Sequence, residues 1–197
     1  MCIRNKANGT YSAGEVIAIT ITFSEVVNVT GTPQLTLETG SSDAVVDYTS
    51  GTGSNTLTFN YTVATGHNSS DLDYVATTSL ALNSGTIKDT ALNDATLTLP
   101  AIGAVGSLAV NKALVIDGIV PTVTNVTSVN KDGSYKQGNQ IPVSVTFSES
   151  VNVTGIPQLT LETGSSDAVV DYSAGTGTST LTFNYTIAAV SYKHLTL

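Results

Sequence analysis

Charged residues, tryptophan and cysteine are scarce in this chain of 197 residues. Asp, Glu, Lys and Arg make up only 11% of the sequence, Trp does not occur, and Cys2 is the single cysteine. A lone cysteine cannot form a disulfide within the chain, so an internally cross-linked scaffold is excluded. Cysteine usage therefore gives no indication of the compartment in which the protein resides.

Basic residues are the minority among the charges, with 7 Lys and Arg against 15 Asp and Glu and a formal net charge of −8. Most of the surface would repel a polyanion, so neither nucleic acid nor an anionic membrane is expected as a partner. No segment approaches the roughly 20 apolar residues of a spanning helix, so no membrane insertion is expected. The opening residues MCIRNKANGT lack the apolar core of a signal peptide. The signal of a secreted protein would therefore lie outside this sequence.

Catalytic motifs are missing as well. The sequence contains no GxSxG, HExxH or P-loop motif and no Cys/His cluster, and His67 is the only histidine before the final residues. In the segment TGHNSS, His67 is predicted to be a solvated loop residue. Asp71 and Asp73 are too close in sequence to flank a glycosidic bond from opposite sides, as a glycosidase requires. The sequence therefore predicts that the protein is not an enzyme.

The main feature present is an internal repeat. The segment from Gly31 to Ala64 recurs from Gly155 to Ala188 with six differences in 34 positions, at an offset of 124 residues. One period is close to the size of a β-sandwich domain, about 100 residues. We therefore expect a first module over residues 5–118, whose opening strand is missing, and a second, truncated module over residues 119–188. Residues 189–197 depart from the repeat and are predicted to be a non-native tail.

Strand patterns fill each module. In EVIAITITFSE, the isoleucines at 17, 19 and 21 alternate with Ala and Thr, which is typical of a half-buried strand, and TLTFNYTVA alternates in the same way. Shorter strands are predicted at PQLTLET, AVVDYTS, TSLALNS, ATLTLP and KALVIDG, which Gly, Asn, Asp and Pro clusters separate. The sequence therefore predicts an all-β sandwich fold, with a module boundary near Asp117 to Pro121.

Four motifs carry a resemblance to a known family: TFSEVVNVTGTPQLTLETG, LTFNYTVATGHNSSDLDY, GTIKDTALNDATLTLP and LVIDGIVPTVT. Their ordered series, over residues 7 to 188, resembles the Ig-like repeats of very large bacterial surface proteins, including the repeat first named for the cyanobacterial swimming-motility surface protein. The resemblance implies Ig-like, cadherin-like antiparallel β-sandwich modules in tandem, in a stalk or adhesive array outside the cell. The sequence departs from the family in TALNDA, where Leu92 replaces the usual glycine.

Acidic residues in predicted turns are candidate calcium ligands, because calcium binds about six to eight oxygen atoms from carboxylates and carbonyls. One residue separates Asp71 from Asp73, so in an extended segment both carboxylates would lie on one face. By resemblance to calcium-stiffened arrays, Asp117 would bridge one module to the next. The alternative is that such residues hydrogen-bond their own backbone in turns. The candidate ligands are Asp71, Asp73, Asp89, Asp94 and Asp117, with Asn93 beside Asp94.

Two functional hypotheses follow. In the first, the chain is a structural spacer module of a large secreted bacterial adhesin or motility-associated protein, with neighbouring repeats of the same chain as its partners and calcium as a candidate stiffening ion. In the second, it is an accessory module of an extracellular protein or hydrolase that binds a cell-surface glycan or protein. Exposed aromatic side chains or an acidic pocket would favour the second hypothesis. The recurring aromatic residues are instead expected to pack inside: Tyr11, Phe23, Tyr48, Phe59 and Tyr61.

Overall fold

The computed structural model describes residues 7–164 and 166–189 of the chain. The chain divides into two compact units, of which unit 1 ends at Val120 and unit 2 begins at Pro121. The predicted non-native tail, residues 189–197, lies outside the described residues except for Ala189.

Unit 1 is built almost entirely from strands, with one short helix, α1, between the last two of them. The strands and the helix of unit 1 are β1 (Gly9–Ser12), β2 (Val16–Thr30), β3 (Gln34–Leu37), β4 (Ala44–Ser50), β5 (Ser54–Thr62), β6 (Asn68–Ser69), β7 (Leu80–Ala81), β8 (Thr86–Asp89), α1 (Leu108–Asn111) and β9 (Leu114–Asp117).

Two sheets form the sandwich of unit 1. The larger sheet has the strand order β7-β3-β4-β5-β2-β8, and the smaller one has the order β1-β9-β6. Strands pair antiparallel throughout both sheets, except that β1 and β9 are parallel, with Gly9 opposite Leu114 and Ser12 opposite Asp117. Buried side chains from both sheets belong to one apolar core. The predicted all-β, antiparallel sandwich class is therefore confirmed.

The centre of this core is the pairing of β2 with β5. Ile19 lies opposite Phe59 and Ile21 lies opposite Leu57, and all four side chains are buried. Successive residues of a strand point to opposite faces, so an alternating sequence places its apolar residues on one face. The Tyr48 ring, from β4, meets the Phe59 ring edge-on with centroids 6.1 Å apart. The alternation that predicts these strands thus also supplies the side chains that fill the core.

One predicted strand does not form. The segment ATLTLP, residues 95–100, has no strand structure, and its backbone makes isolated bonds such as Leu99 N–H to Thr77 O at 2.8 Å. Leu99 is nevertheless buried, so the alternation in this segment reflects inward packing and not a hydrogen-bonded ladder. The preceding pattern, TSLALNS, contributes only the two residues of β7. The sequence pattern also gave no indication of α1.

Unit 2 repeats four strands of unit 1 and adds one strand before them. Its strands form a sheet with the order β10-β11-β14-β13-β12, in which β11 to β14 correspond to β2 to β5 and β10 pairs along β11. The strands of unit 2 are β10 (Val123–Ser128), β11 (Gln140–Val151), β12 (Gln158–Leu161), β13 (Ala168–Ala174) and β14 (Thr178–Thr186). Its core is smaller, with the buried side chains Val145, Val170, Leu181 and Phe183.

The turn after β8 contains a residue in an unfavourable backbone conformation. Leu92 has a φ of 72°, in the left-handed region where a side chain costs about 1–2 kcal/mol and where glycine is at ease. The Leu92 side chain is 75% exposed, so it gains little from packing. This is the position at which the repeats that the sequence resembles usually carry glycine.

Replacing this leucine should stabilise unit 1. We expect Leu92→Gly to raise the free energy of unfolding by about 1 kcal/mol, because it relieves the left-handed strain and gives up only an exposed side chain. Urea unfolding followed by circular dichroism measures the change. The matched control is Leu92→Ala, which removes the apolar side chain but keeps the Cβ. Equal stabilisation by both variants would contradict the backbone explanation.

Candidate functional site

Asp71 lies in the segment between β6 and β7, where it binds the backbone near the end of the unit. Its Oδ1 accepts a hydrogen bond from the N–H of Leu114, at 3.3 Å. Leu114 is the first residue of β9, and the neighbouring Leu72 N–H donates to Leu114 O at 2.8 Å. Asp71 is otherwise exposed. The carboxylate therefore ties this segment to the start of the last strand.

Asp73 is buried, with 6% of its surface exposed. Its Oδ1 accepts hydrogen bonds from the N–H of Tyr74 at 2.9 Å and from the N–H of Leu108 at 3.2 Å. Leu72 is also buried. In the predicted extended segment, Leu72 and Asp73 would point to opposite faces, but here both lie inside. Asp71 and Asp73 bind backbone N–H groups six residues apart, at Leu114 and Leu108.

Several polar atoms around α1 lack a hydrogen-bond partner among the described residues. They include Oδ2 of Asp73, Oγ of the fully buried Ser107 and Nδ2 of Asn111. Buried polar atoms normally have a partner, either in the protein or in an ordered water. A carboxylate oxygen and a hydroxyl oxygen near the first turn of α1 are therefore the atoms of this region best suited to bind a water or a cation.

Tyr74 packs next to Asp73 and points to the segment before α1. Its hydroxyl donates to the carbonyl of Pro100 at 2.5 Å. Burial, followed by the negative charge of Asp73, raises the pKa of Tyr74 to about 12. The phenol therefore stays protonated at neutral pH and acts as a hydrogen-bond donor that holds the irregular segment ATLTLP against the core.

Asp89 is the last residue of β8 and Asp94 lies just after the turn that follows it, and both carboxylates are already engaged. Asp89 accepts from the backbone N–H of Asn93 at 2.8 Å and from its Nδ2 at 2.7 Å. These hydrogen bonds from Asn93 hold the pKa of Asp89 below its usual value of 3.8. Asp94 forms an ion pair with Lys88 at 2.5 Å. A cleft of about 410 Å³ lies beside them, with Glu25 also in its lining.

Asp117 is the last residue of β9 and lies opposite Ser12 of β1 and Asn68 of β6. The backbone after it is also held tightly, because Gly118 donates to His67 O at 2.7 Å. A Cβ on Gly118 would lie 2.3 Å from Ala64 O, so glycine is required at this close approach. Asp117 therefore belongs to a paired strand, within the strand predicted at KALVIDG.

The candidate ligands do not gather into a metal centre. Within residues 7–164 and 166–189, no group of three or more His, Cys, Asp or Glu side chains could hold a metal ion. Calcium takes about six to eight oxygen ligands, which must lie around one point. Asp89 ends β8 and Asp117 ends β9, and these two strands belong to different sheets. Asp89 shows the turn role that was the alternative to calcium, Asp71 and Asp73 accept from backbone N–H groups of distant segments, and Asp94 forms an ion pair. Calcium binding stays a prediction.

His67 is not the solvated loop residue that the sequence predicts. It is half-buried and stacks on the Tyr61 ring with centroids 5.7 Å apart. Its Nδ1 lies 2.9 Å from the Tyr61 hydroxyl and accepts from the N–H of Ala64 at 3.2 Å. A shallow groove of about 530 Å³ runs past this pair, with Asp43 and Asp47 also in its lining. The signal that could have indicated this role is the buried Tyr61 in the strand TLTFNYTVA, six residues before His67.

Comparisons with protein-family models, with curated proteins and with solved structures found no match for this chain. Among the described residues there is no helix with the length and apolar character needed to cross a membrane.

Removal of the Asp73 carboxylate should destabilise unit 1. We expect Asp73→Ala to cost about 1–3 kcal/mol, because the buried N–H groups of Tyr74 and Leu108 lose their acceptor. Asp73→Asn keeps an oxygen in that place and should cost less. Chemical unfolding of both variants measures the difference, with Asp43→Ala as an exposed-carboxylate control. Equal losses for all three variants would show that Asp73 is no internal acceptor.

Proposed function

We propose that the chain is a structural spacer from a large secreted bacterial surface protein, an adhesin or a motility-associated protein, which holds distal binding domains away from the cell. The tandem repeat supports this proposal, because the same hydrogen bonds recur in both units. Gln34 Nε2 donates to Asp47 at 2.9 Å in unit 1, and Gln158 makes the same bond to Asp171 at 2.9 Å in unit 2. Arrays of similar modules serve length and spacing more than individual chemistry.

The observation that carries the proposal is the parallel pairing of β1 with β9. These are the first and last described strands of unit 1, and they pair over four residues from Gly9 and Leu114 to Ser12 and Asp117. Tension on the chain pulls β1 from its N-terminal end and β9 from its C-terminal end. In a parallel pair these two forces slide the strands past each other, so the hydrogen bonds between them are loaded together and not one at a time.

The same pairing also sets the directions in which the chain enters β1 and leaves β9. The chain enters β1 at Gly9 and leaves β9 at Asp117, at opposite ends of the paired segment. The paired segment therefore adds length along the direction of these two strands. A module that adds length and resists sliding is suited to a stalk.

The backbone pattern of β9 identifies the position at which the pairing is most easily broken. Gly9 N–H donates to Ala113 O, whereas Leu114 O and Gly118 N–H bond to the other neighbouring segment. The backbone N–H and C=O groups of successive residues point to opposite edges of a strand. The backbone N–H of Val115, like the carbonyl of Ala113, therefore points toward β1. Proline at residue 115 would remove an N–H from this pairing.

Single-molecule stretching of the full chain through its two ends tests the mechanical role. We expect unit 1 to unfold in one step that releases about 35 nm of chain, and Val115→Pro to lower the force of that step. The matched control is Ile87→Ala, a core substitution in β8 that lowers stability by about 2–5 kcal/mol without changing β1 or β9. A larger loss of force in the Ile87 variant than in the Val115 variant would overturn the shear explanation.

Calcium is the proposed stiffening ion, and its contribution can be measured separately. Its support is the buried Oδ2 of Asp73, which has no partner among the described residues. A ligand that binds the folded state raises the melting temperature. If calcium binds here, the full chain melts higher in calcium than in chelator, and Asp73→Asn removes the difference. Coinciding curves would leave a spacer that needs no ion.

The competing proposal is an accessory module that binds a glycan or a protein, and its support is the groove beside His67. Sugar recognition usually employs exposed aromatic side chains, and Tyr135 is the one described Phe or Tyr residue that is exposed by more than a third, at 38%. Tyr135 lies outside the groove. The spacer role therefore has the stronger support.

A further inference from the structure

The larger sheet of unit 1 is open along part of the boundary between β4 and β5. These two strands pair at only two positions, Tyr48 with Phe59 and Ser50 with Thr58. Residues 44–47 of β4 pair with β3 alone, while β5 continues along β2. The shallow groove of about 530 Å³ that runs past the stacked histidine lies between these segments, and we call it the split.

A β-bulge in β4 explains why the two strands separate. The register of the ladder shifts between Tyr48 and Ser50, so Thr49 lies opposite no residue of β5. The Thr49 hydroxyl instead accepts a hydrogen bond from the N–H of Asn60 at 3.2 Å, at the point where the ladder stops. Bulges bend a strand and increase its twist, which turns the first residues of β4 away from β5.

The same opening is present in unit 2. There β13 and β14 pair only as Tyr172 with Phe183 and as Ala174 with Thr182. These positions correspond, at the repeat offset, to the two pairs between β4 and β5. The opening is therefore determined by the sequence that the two units share.

The backbone on both sides of the split points into it. The Thr36 N–H of β3 donates to Ser79 O at 3.0 Å, on the side of β3 that faces away from β4. Val45 lies opposite Thr36, and opposite residues of an antiparallel pair either face each other or both point away. The N–H and C=O of Val45 therefore point into the split. Across it, the N–H of Asn60 points toward β4, and Thr62, two residues further along β5, has the same orientation.

The side chains of β4 give the split a charge pattern. Ala44 and Val46 are buried, whereas Val45 between them is 58% exposed. Asp43 and Asp47 are exposed and lie on the same face as Val45, and both line the split. No Lys or Arg among the described residues lines it. An apolar side chain therefore stands between two carboxylates in one row.

We propose that the split binds an extended segment of another protein, which pairs with the backbone of β4 and carries two basic residues on either side of an apolar one, in the order basic–x–apolar–x–basic. An unpaired strand edge is a template for such a segment. Residues opposite each other in paired strands lie on the same face, so the basic side chains lie opposite Asp43 and Asp47, and the apolar one lies opposite Val45. The proposal goes beyond the spacer role and does not rest on it.

Titration of the full chain with a blocked peptide of sequence KTVTK tests the proposal, with amide hydrogen exchange followed by NMR. We expect exchange to slow at Val45, because the peptide backbone accepts a hydrogen bond from this N–H. The control peptide TKVKT has the same composition but carries both lysines on the opposite face, and we expect it to bind about fivefold more weakly. Equal affinity of the two peptides, or unchanged exchange at Val45, would overturn the proposal.

Substitutions in the chain separate a specific site from general attraction to an acidic protein. Asp43→Lys should weaken the binding of KTVTK by about fivefold, because it places a like charge opposite a lysine of the peptide. Glu25→Lys changes the net charge by the same amount outside the split and should leave the affinity unchanged. Asp43 and Glu25 are both exposed, so neither change disturbs the core. An equal loss of affinity in both variants would show that net charge alone attracts the peptide and would refute the site.

Discussion

The pairing of β2 with β5 is the interaction on which both units depend. It places two alternating strands side by side, so that Ile19 and Ile21 meet Phe59 and Leu57 in one buried layer. Every other element of unit 1 either extends this sheet or covers its apolar face. The same pairing recurs in unit 2 between β11 and β14, where it persists although its face is only partly covered. Long antiparallel pairing therefore organises the fold, and the covering segment completes it.

Much of the fold could be predicted because apolar and polar residues alternate along the long strands. EVIAITITFSE and TLTFNYTVA became β2 and β5, and their apolar residues lie inside. The strand predicted at ATLTLP was wrong for a physical reason. Leu97 and Leu99 pack inward, but no neighbouring strand offers the backbone groups that a ladder needs. Local pattern reports which side chains are buried, whereas a strand also requires a partner that lies far away in the chain.

The candidate site was harder to predict, because a carboxylate can either accept hydrogen bonds from backbone N–H groups or bind a metal ion. The spacing of Asp71 and Asp73 placed both on one face only for an extended segment, and the chain between β6 and β7 is not extended in that way. Asp89 binds Asn93 within one turn, as the alternative to calcium expects. The position of α1, and hence the acceptor role of Asp73 at Leu108, could not be read from sequence because nothing in LAVN distinguishes a helix turn.

Near-identity between successive units has a consequence for folding. The strands from β2 to β5 leave the ribosome before residues 65–118 do, so each unit waits for its own covering chain with an apolar face exposed. A neighbouring unit with almost the same face can capture that chain first, and misassembly of this kind is characteristic of repeat proteins. The fidelity of an array therefore depends on how quickly each segment reaches its own sheet. Short loops, such as the turn closed by His67 N–H and Ala64 O, favour the correct partner by keeping it close.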